Sequence, residues 1–225
     1  MSLFTLPDPE AVEALGAEET LALLLQEFPG RVALACSFQK EESVLLDLLF
    51  RLEPNARVFA IDTHYLFPET YTLWREVEQR YSTTIEVFEG PNPEELVPVH
   101  GDNLWERNPD LYLAIAKVAP LNAALAGLDA WITGVRRDQS PTRAETPKLG
   151  WDEQHELWKA SPLADWSDDD CWAYIRERDL PYNALHDQGY ASIGDTHSTQ
   201  PGAGRAGRWA GSERTECGMH VQETA

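Results

Sequence analysis

Residues 31–52 read RVALACSFQKEESVLLDLLFRL, and that stretch decides the fold. Residues 31–36 are a short, largely apolar run between Gly30 and Ser37, the signature of a strand buried on both faces. Val44, Leu45, Leu48, Leu49 and Leu52 then recur at helical spacing, which predicts a helix with one apolar face. The unit repeats downstream. Residues 57–61 (RVFAI) read as a second strand, and Pro68 opens a helix in which Leu73, Trp74, Val77 and Tyr81 share a face. Residues 85–88 read as a third strand, and a helical segment around 120–128 leads into a fourth at 130–134 (AWITG). Strands alternating with helices imply an α/β fold: a parallel sheet flanked by helices, Rossmann-like in layout, with ligands at the carboxyl ends of the strands.

Around this core the chain divides into three parts. Asp8 before Pro9 has N-cap chemistry and opens an N-terminal helical segment covering 1–29. Residues 30–180 form the α/β domain, closed by a helix that Ser167 and Asp170 begin with capping-box spacing. Residues 181–225, rich in Gly, Ser, Thr and Pro, are expected to form a flexible C-terminal tail.

A chain of 225 residues that is 43% hydrophobic can fill a core, which excludes a wholly disordered protein. Its 18 Lys+Arg against 38 Asp+Glu leave a net charge of −20, which excludes a broad electrostatic grip on nucleic acid or an anionic membrane. The acid excess lies in 1–100 and 151–200, whereas 101–150 and 201–225 are balanced, so a small anion is expected to bind through the latter two. Cys36, Cys171 and Cys217 make no CxxC pair, which argues against a disulfide framework and a four-cysteine zinc site. The start MSLFTLPDPE has no leader pattern and no window is apolar enough to span a bilayer, so a cytoplasmic location is expected.

Five constellations carry chemistry. The first strand ends in CSFQKEES (36–43), a strand-to-helix junction offering backbone N–H groups to an anion, although GxxxxGK[ST] is absent and an ordinary capped turn reads equally well. The second ends in Asp62-Thr63-His64, where the acid is placed either to accept from a ribose or to cap a helix. The fourth runs into GVRRDQSPTR, whose Arg136, Arg137 and Arg143 suit phosphate or sulfate, or else pair with Asp138 and Glu145. Gly202 to Gly207 matches GxGxxG but follows no strand, so its useful feature is Arg205 with Arg208 on a glycine-rich segment. Last, Cys217 with His220 suggests a reactive thiolate, or a metal site completed by Asp195 and His197. Cys36 and Cys171 are expected in apolar settings and read as inert core residues.

In order, SFQKEESVLL (37–46), DTHYLFPETY (62–71), KVAPLNAAL (117–125), WITGVRRDQSPTR (131–143), PLADW (162–166), LPYNALHDQGYASIGDTHST (180–199), RAGRW (205–209) and ECGMH (216–220) resemble the phosphoadenylyl-sulfate / adenylyl-sulfate reductase family of assimilatory sulfate reduction, from about residue 30 to 220. The resemblance implies a PP-loop fold of the adenine nucleotide alpha hydrolase-like type, with residues 30–180 holding the nucleotide and residues 181–225 the catalytic cysteine. In that family a [4Fe–4S] cluster, where present, is held by a Cys-Cys pair and a later CxxC. The matching positions here are Tyr112, Leu113, Asp195 and Ser198, none of which supplies a thiolate. The chain therefore resembles the cluster-free branch, with no bound cofactor and no metal, and 3′-phosphoadenylyl sulfate (PAPS) as expected substrate.

The same resemblance implies a two-step thiol mechanism. Cys217 attacks the sulfonate sulfur with His220 poising it, and the S-sulfonate is cleared by thioredoxin or glutaredoxin. Lys117, Arg136, Arg137, Arg143, Arg205 and Arg208 neutralise the anion; Ser37, Gln39, Asp62, Thr63, Gln139 and Ser140 complete the substrate set. A homodimer is the expected assembly. Two positions depart from the family: His64 where Gly is usual, and Ala119 where an acid beside Lys117 is usual. Competing readings are an adenylyl-sulfate (APS) reductase without cluster, a PP-loop protein such as a sulfate adenylyltransferase subunit, against which the lack of an SGGKDS-like loop counts, and a metal-binding regulatory module built on Cys217 and His220.

Overall fold

The computed structural model describes residues 8–209. Two short helices, α1 (Pro9–Glu13) and α2 (Ala17–Glu27), precede β1 (Val32–Ala35), α3 (Lys40–Leu52), β2 (Arg57–Asp62), α4 (Pro68–Tyr81) and β3 (Glu86–Glu89). Then come α5 (Pro93–His100), α6 (Leu104–Arg107), α7 (Pro109–Leu113), a π-helical turn at Ala114–Val118, α8 (Ala119–Leu125) and β4 (Ala130–Ile132). A hairpin of β5 (Leu149–Asp152) and β6 (Leu157–Ala160) leads to α9 (Asp168–Glu177).

The six strands form one sheet in the order β3-β2-β1-β4-β6-β5. β1 sits at its centre, with Leu34 registered between Val58 and Ile132. Alternate residues of β1 serve the two faces. Val32 and Leu34 pack with Leu21, Leu45, Val77 and Ile175 under α2, α3, α4 and α9, while Ala33 packs with Phe59, Trp131 and Leu125 under α8. That two-sided burial is why β1 reads as a continuous apolar run. The connections from β1 proceed to β2 on one side and from β3 to β4 on the other, so the order reverses between β1 and β4. A crevice at the carboxyl ends of those two strands is where such sheets bind ligands.

Three features refine or correct the expectations. The sheet is mixed: β5 runs antiparallel to β6 at the edge, and this hairpin has no apolar run to announce it, Trp151 on β5 being half exposed. The N-terminal segment is two helices, broken where Gly16 N donates to Glu19 Oε2 at 2.8 Å. And residues 181–209 are packed chain, not a flexible tail. Asn183 Nδ2 donates to Thr70 Oγ1 (3.0 Å), Thr196 N to Tyr65 O (2.8 Å), Gly202 N to Gly189 O (2.9 Å) and Trp209 N to Ser198 O (3.0 Å). A Cβ on Gly207 would meet the Gln200 carbonyl and one on Gly202 would meet Gly207, so those two glycines of the GxGxxG match serve chain crossing, while Gly204 stands in open space with φ 52°. Cys217 and His220 lie outside the described residues.

Candidate active site

A cleft of about 1080 Å³, open to solvent, lies at the carboxyl ends of β1, β2 and β4. Its first wall is the loop into α3. Ser37 Oγ and Gln39 N both donate to Glu42 Oε2 (2.9 and 3.1 Å), so the helix N-terminus is capped from within by a carboxyl group. Burial, reinforced by the neighbouring Glu41, pushes Glu42 up to about 8, and it is therefore neutral at pH 7. Gln39 Oε1 accepts from Ile193 N (2.8 Å) and Ser192 Oγ (3.1 Å), tying this loop to the 190–194 segment. Phe38 holds the loop with φ 58°, stacked on Trp74. Cys36 also faces the cleft, but burial lifts its thiol far above the ordinary range, and burial pushes Cys171 up to about 12.

The second wall comes from β2 and the π-helical turn. Pro120 has no N–H to donate to residue 116, and the helix widens just before it, bringing Lys117 to the cleft. Lys117 Nζ lies 2.9 Å from Asp195 Oδ2, and Thr63 Oγ1 donates to Asp195 Oδ1 at 2.8 Å. Burial acts to raise the Asp195 pKa, but Lys117, His197 and the Thr63 hydrogen bond outweigh it and hold the carboxyl below its usual range. His197 stacks on Trp105 at 4.5 Å and meets Tyr112 Oη at 3.0 Å; burial holds its pKa down to about 4. With alanine at 119, the counter-ion of Lys117 is this distant Asp195.

The third wall carries Arg143 and Gln139 from the segment after β4, and Arg205 and Arg208 from the C-terminal segment. Arg208 lies flat over Gly194, where a Cβ would collide with the guanidinium, and donates to Ile193 O at 2.9 Å. Lys117, Arg143, Arg205 and Arg208 thus face one cleft.

Several expected site residues are elsewhere. Arg136 is buried away from the cleft, donating to Glu41 (3.0 Å), Asp138 (2.8 Å) and Asp168 (3.1 Å). Arg137 donates to Glu13 (2.6 Å) and to Thr146 O (2.8 Å). Acid pairing, one of the two readings open for these arginines, is what the geometry gives. Ser140 is off the cleft, hydrogen-bonded to Thr142. Asp62 accepts from Tyr71 Oη and His64 N, both at 2.7 Å, and so closes a local turn; it does not cap a helix, since Phe67 holds the N-cap position of α4. His64 has φ 61°, a left-handed backbone that glycine adopts most readily, and it does not line the cleft. Composition gave no hint that Glu41 and Glu42 would line the cleft, although an acidic pair at the first turn of a helix is a visible capping signal.

Residues 31–201 match the family model described as the phosphoadenosine phosphosulfate reductase domain. The chain belongs to that family. An adenosine 5′-phosphosulfate reductase of Lysinibacillus sphaericus is 42% identical over 211 residues, covering 91% of each chain. Adenosine 5′-phosphosulfate reductase 2 of Bacillus subtilis is 45% identical over 213 residues, covering 91% of this chain and 89% of that protein. The crystal structure of phosphoadenylyl-sulfate reductase from Candida auris, a phosphate complex, superposes with a TM-score of 0.77 at 34% identity, over 85% of this chain and 94% of that one. A Candida glabrata FMN adenylyltransferase shares the fold alone, with a TM-score of 0.60 at 14% identity. The family is one of sulfonucleotide reductases, oxidoreductases of sulfate assimilation.

The residues at the four cluster positions do not fit an iron–sulfur cluster. Tyr112 and Leu113 are packed in an apolar group with Trp209, Asp195 is committed to Thr63 and Lys117, and Ser198 Oγ donates to Asp195 O. An ammonium against Asp195 also makes it a poor ligand for a dication. No helix among the described residues is long and apolar enough to cross a membrane.

Proposed function

We propose that this chain reduces PAPS to sulfite and adenosine 3′,5′-bisphosphate. The observation that carries the reading is the convergence of Lys117, Arg143, Arg205 and Arg208 on one cleft, at the sheet's switch point, in a chain of net charge −20. Such a concentration of cations favours an anion between them, and it offsets the repulsion between a thiolate and a sulfonate. Gln39 and Thr63 supply the polar edge of the nucleotide site.

The Cys217 thiolate attacks the sulfonate sulfur; the S–O bond to the phosphate breaks, and adenosine 3′,5′-bisphosphate leaves with that electron pair. A phosphate needs little help from a general acid. Trp209 packs beside Tyr112, Leu113 and Ala116, near the Lys117 end of the cleft, and it stands eight positions before Cys217 in the sequence. That span reaches at most ~29 Å. In this reading His220 poises the thiol or orients the sulfonate. An external dithiol, thioredoxin or glutaredoxin, then attacks Sγ of Cys217, sulfite departs, and the donor's second thiol closes its own disulfide, supplying the two electrons.

APS is the second reading, favoured by the carboxyl groups of Glu41 and Glu42 at the α3 N-terminus, where a 3′-phosphate would otherwise find free donors, and by the names of the bacterial relatives. Single-turnover incubation of the reduced protein with each nucleotide, read by intact mass, decides. The expected result is a sulfonate on Cys217 formed faster from PAPS than from APS, and none on Cys217→Ser. The reverse order selects APS; no sulfonate from either refutes the reading.

A further inference from the structure

The proposed chemistry uses Lys117 but not the carboxylate it lies against. Both side chains are almost fully buried, at 8% and 0% exposure. A buried ion pair is a weak way to gain stability, since an apolar pair of similar volume often does as well, so its presence beside a cleft asks for another reason.

The anchoring of the two partners differs. Asp195 is fixed from several directions: Thr63 Oγ1 at the end of β2 donates to Oδ1, Thr196 N of the next residue donates to Tyr65 O, and residue 195 bridges Leu66 in the backbone. Lys117, by contrast, rises on a four-carbon stem from the π-helical turn, and a long stem finds one position only if something holds its head. Tyr112 Oη stands 3.4 Å from Asp195 and the imidazole of His197 3.6 Å from it, so the carboxylate is the single anion the ammonium meets in this group. Residue 119, two positions along the helix, is alanine.

We propose that Asp195 is a positioning residue, which holds the Lys117 ammonium on the cleft wall where the sulfonate end of the nucleotide arrives, and which acts on the reaction only through Lys117. The inference rests on the sulfonucleotide reading of the cleft.

The test is a double-mutant cycle on the full chain, with Asp195→Asn, Lys117→Met and the double variant, each read in two ways: the rate of Cys217 S-sulfonation at saturating PAPS, and the affinity for adenosine 3′,5′-bisphosphate, which carries no sulfonate. Each single variant is expected to slow S-sulfonation ~100- to 1000-fold, a loss typical of one transition-state charge contact, with product affinity within about twofold. The double variant should be no slower than Lys117→Met within about threefold, because residues acting as one unit are not additive. Asp195→Asn at wild-type rate, or a double variant slowed by the product of the two single effects, overturns the proposal. If Asp195→Asn fails to fold, Lys117→Met/Asp195→Leu, which removes both charges together, takes its place; a rate tenfold or more below Lys117→Met would then overturn it. Wild-type protein that gains no sulfonate from PAPS or APS refutes the functional reading, and this proposal with it, whereas wild-type turnover unaffected by Asp195→Asn refutes this proposal alone.

Discussion

Arginines occur in two places that look alike in sequence and differ in use. After β4, Arg136 and Arg137 stand in a run of polar residues; near the end of the described chain, Arg205 and Arg208 stand in a run of glycines. The first pair is spent on carboxylates of the protein itself, Arg136 on Glu41, Asp138 and Asp168, and Arg137 on Glu13. The second pair faces the cleft. The difference teaches that a guanidinium fork matches a carboxylate as well as it matches a sulfate, and only the position of the acids decides which it meets.

The largest effect expected from this contrast is on stability. Arg136→Met leaves Glu41 buried, its side chain 4% exposed, with its nearest guanidinium gone, and breaking such a pair costs ~3–5 kcal/mol. Urea denaturation should show that loss; unchanged stability with lost nucleotide binding would instead put Arg136 in the ligand site. The acidic side of the cleft gives the next effect. Glu42 is neutral in the folded protein up to about pH 8 and ionised in the unfolded chain above about 4.5. The folded state therefore binds the extra proton between those values, and stability should fall as pH rises through that window, at up to about 1.4 kcal/mol per pH unit. Glu42→Gln keeps an acceptor for Ser37 and should flatten that slope in denaturation curves; an identical slope contradicts the assignment.

Arg205→Ala should raise KM for the sulfonucleotide about tenfold, roughly 1.4 kcal/mol, with little change in melting temperature. A lower melting temperature with an unchanged KM would place Arg205 with the structural pair. Arg137→Ala should do least. Its pair with Glu13 is one-third exposed on both sides, which limits the cost to about 1 kcal/mol, with steady-state kinetics unaltered.

The contrast also marks where sequence reading stops. β1, α3, β2 and α4 were legible because strands buried on both faces and helices buried on one leave apolar runs and stripes. The β5–β6 hairpin was not, since an edge strand mixes tryptophan with charge. The packing of residues 181–209 was hidden because glycine composition is the same for a loose segment and for one in which Gly194 and Gly207 admit another part of the chain too close for a Cβ. Of the residues expected at the site, Ser37, Gln39, Thr63, Lys117, Arg143, Arg205 and Arg208 line the cleft. Arg136 and Arg137 turn away from it, towards Glu41 and Glu13, acids 95 and 124 positions away that no local reading of the sequence brings to them. Asp195 was visible as an acid among candidate metal ligands; that it faces Lys117 comes only from the sheet bringing β2, the π-helical turn and residues 190–199 together.

Equilibrium titration of adenosine 3′,5′-bisphosphate into the wild-type chain and into Arg205→Ala/Arg208→Ala tests most directly whether the cleft cations form the nucleotide grip. Saturable wild-type binding that weakens with added salt, and a double variant at least tenfold weaker, is the predicted result; no wild-type binding, or equal affinity in the two proteins, would contradict it.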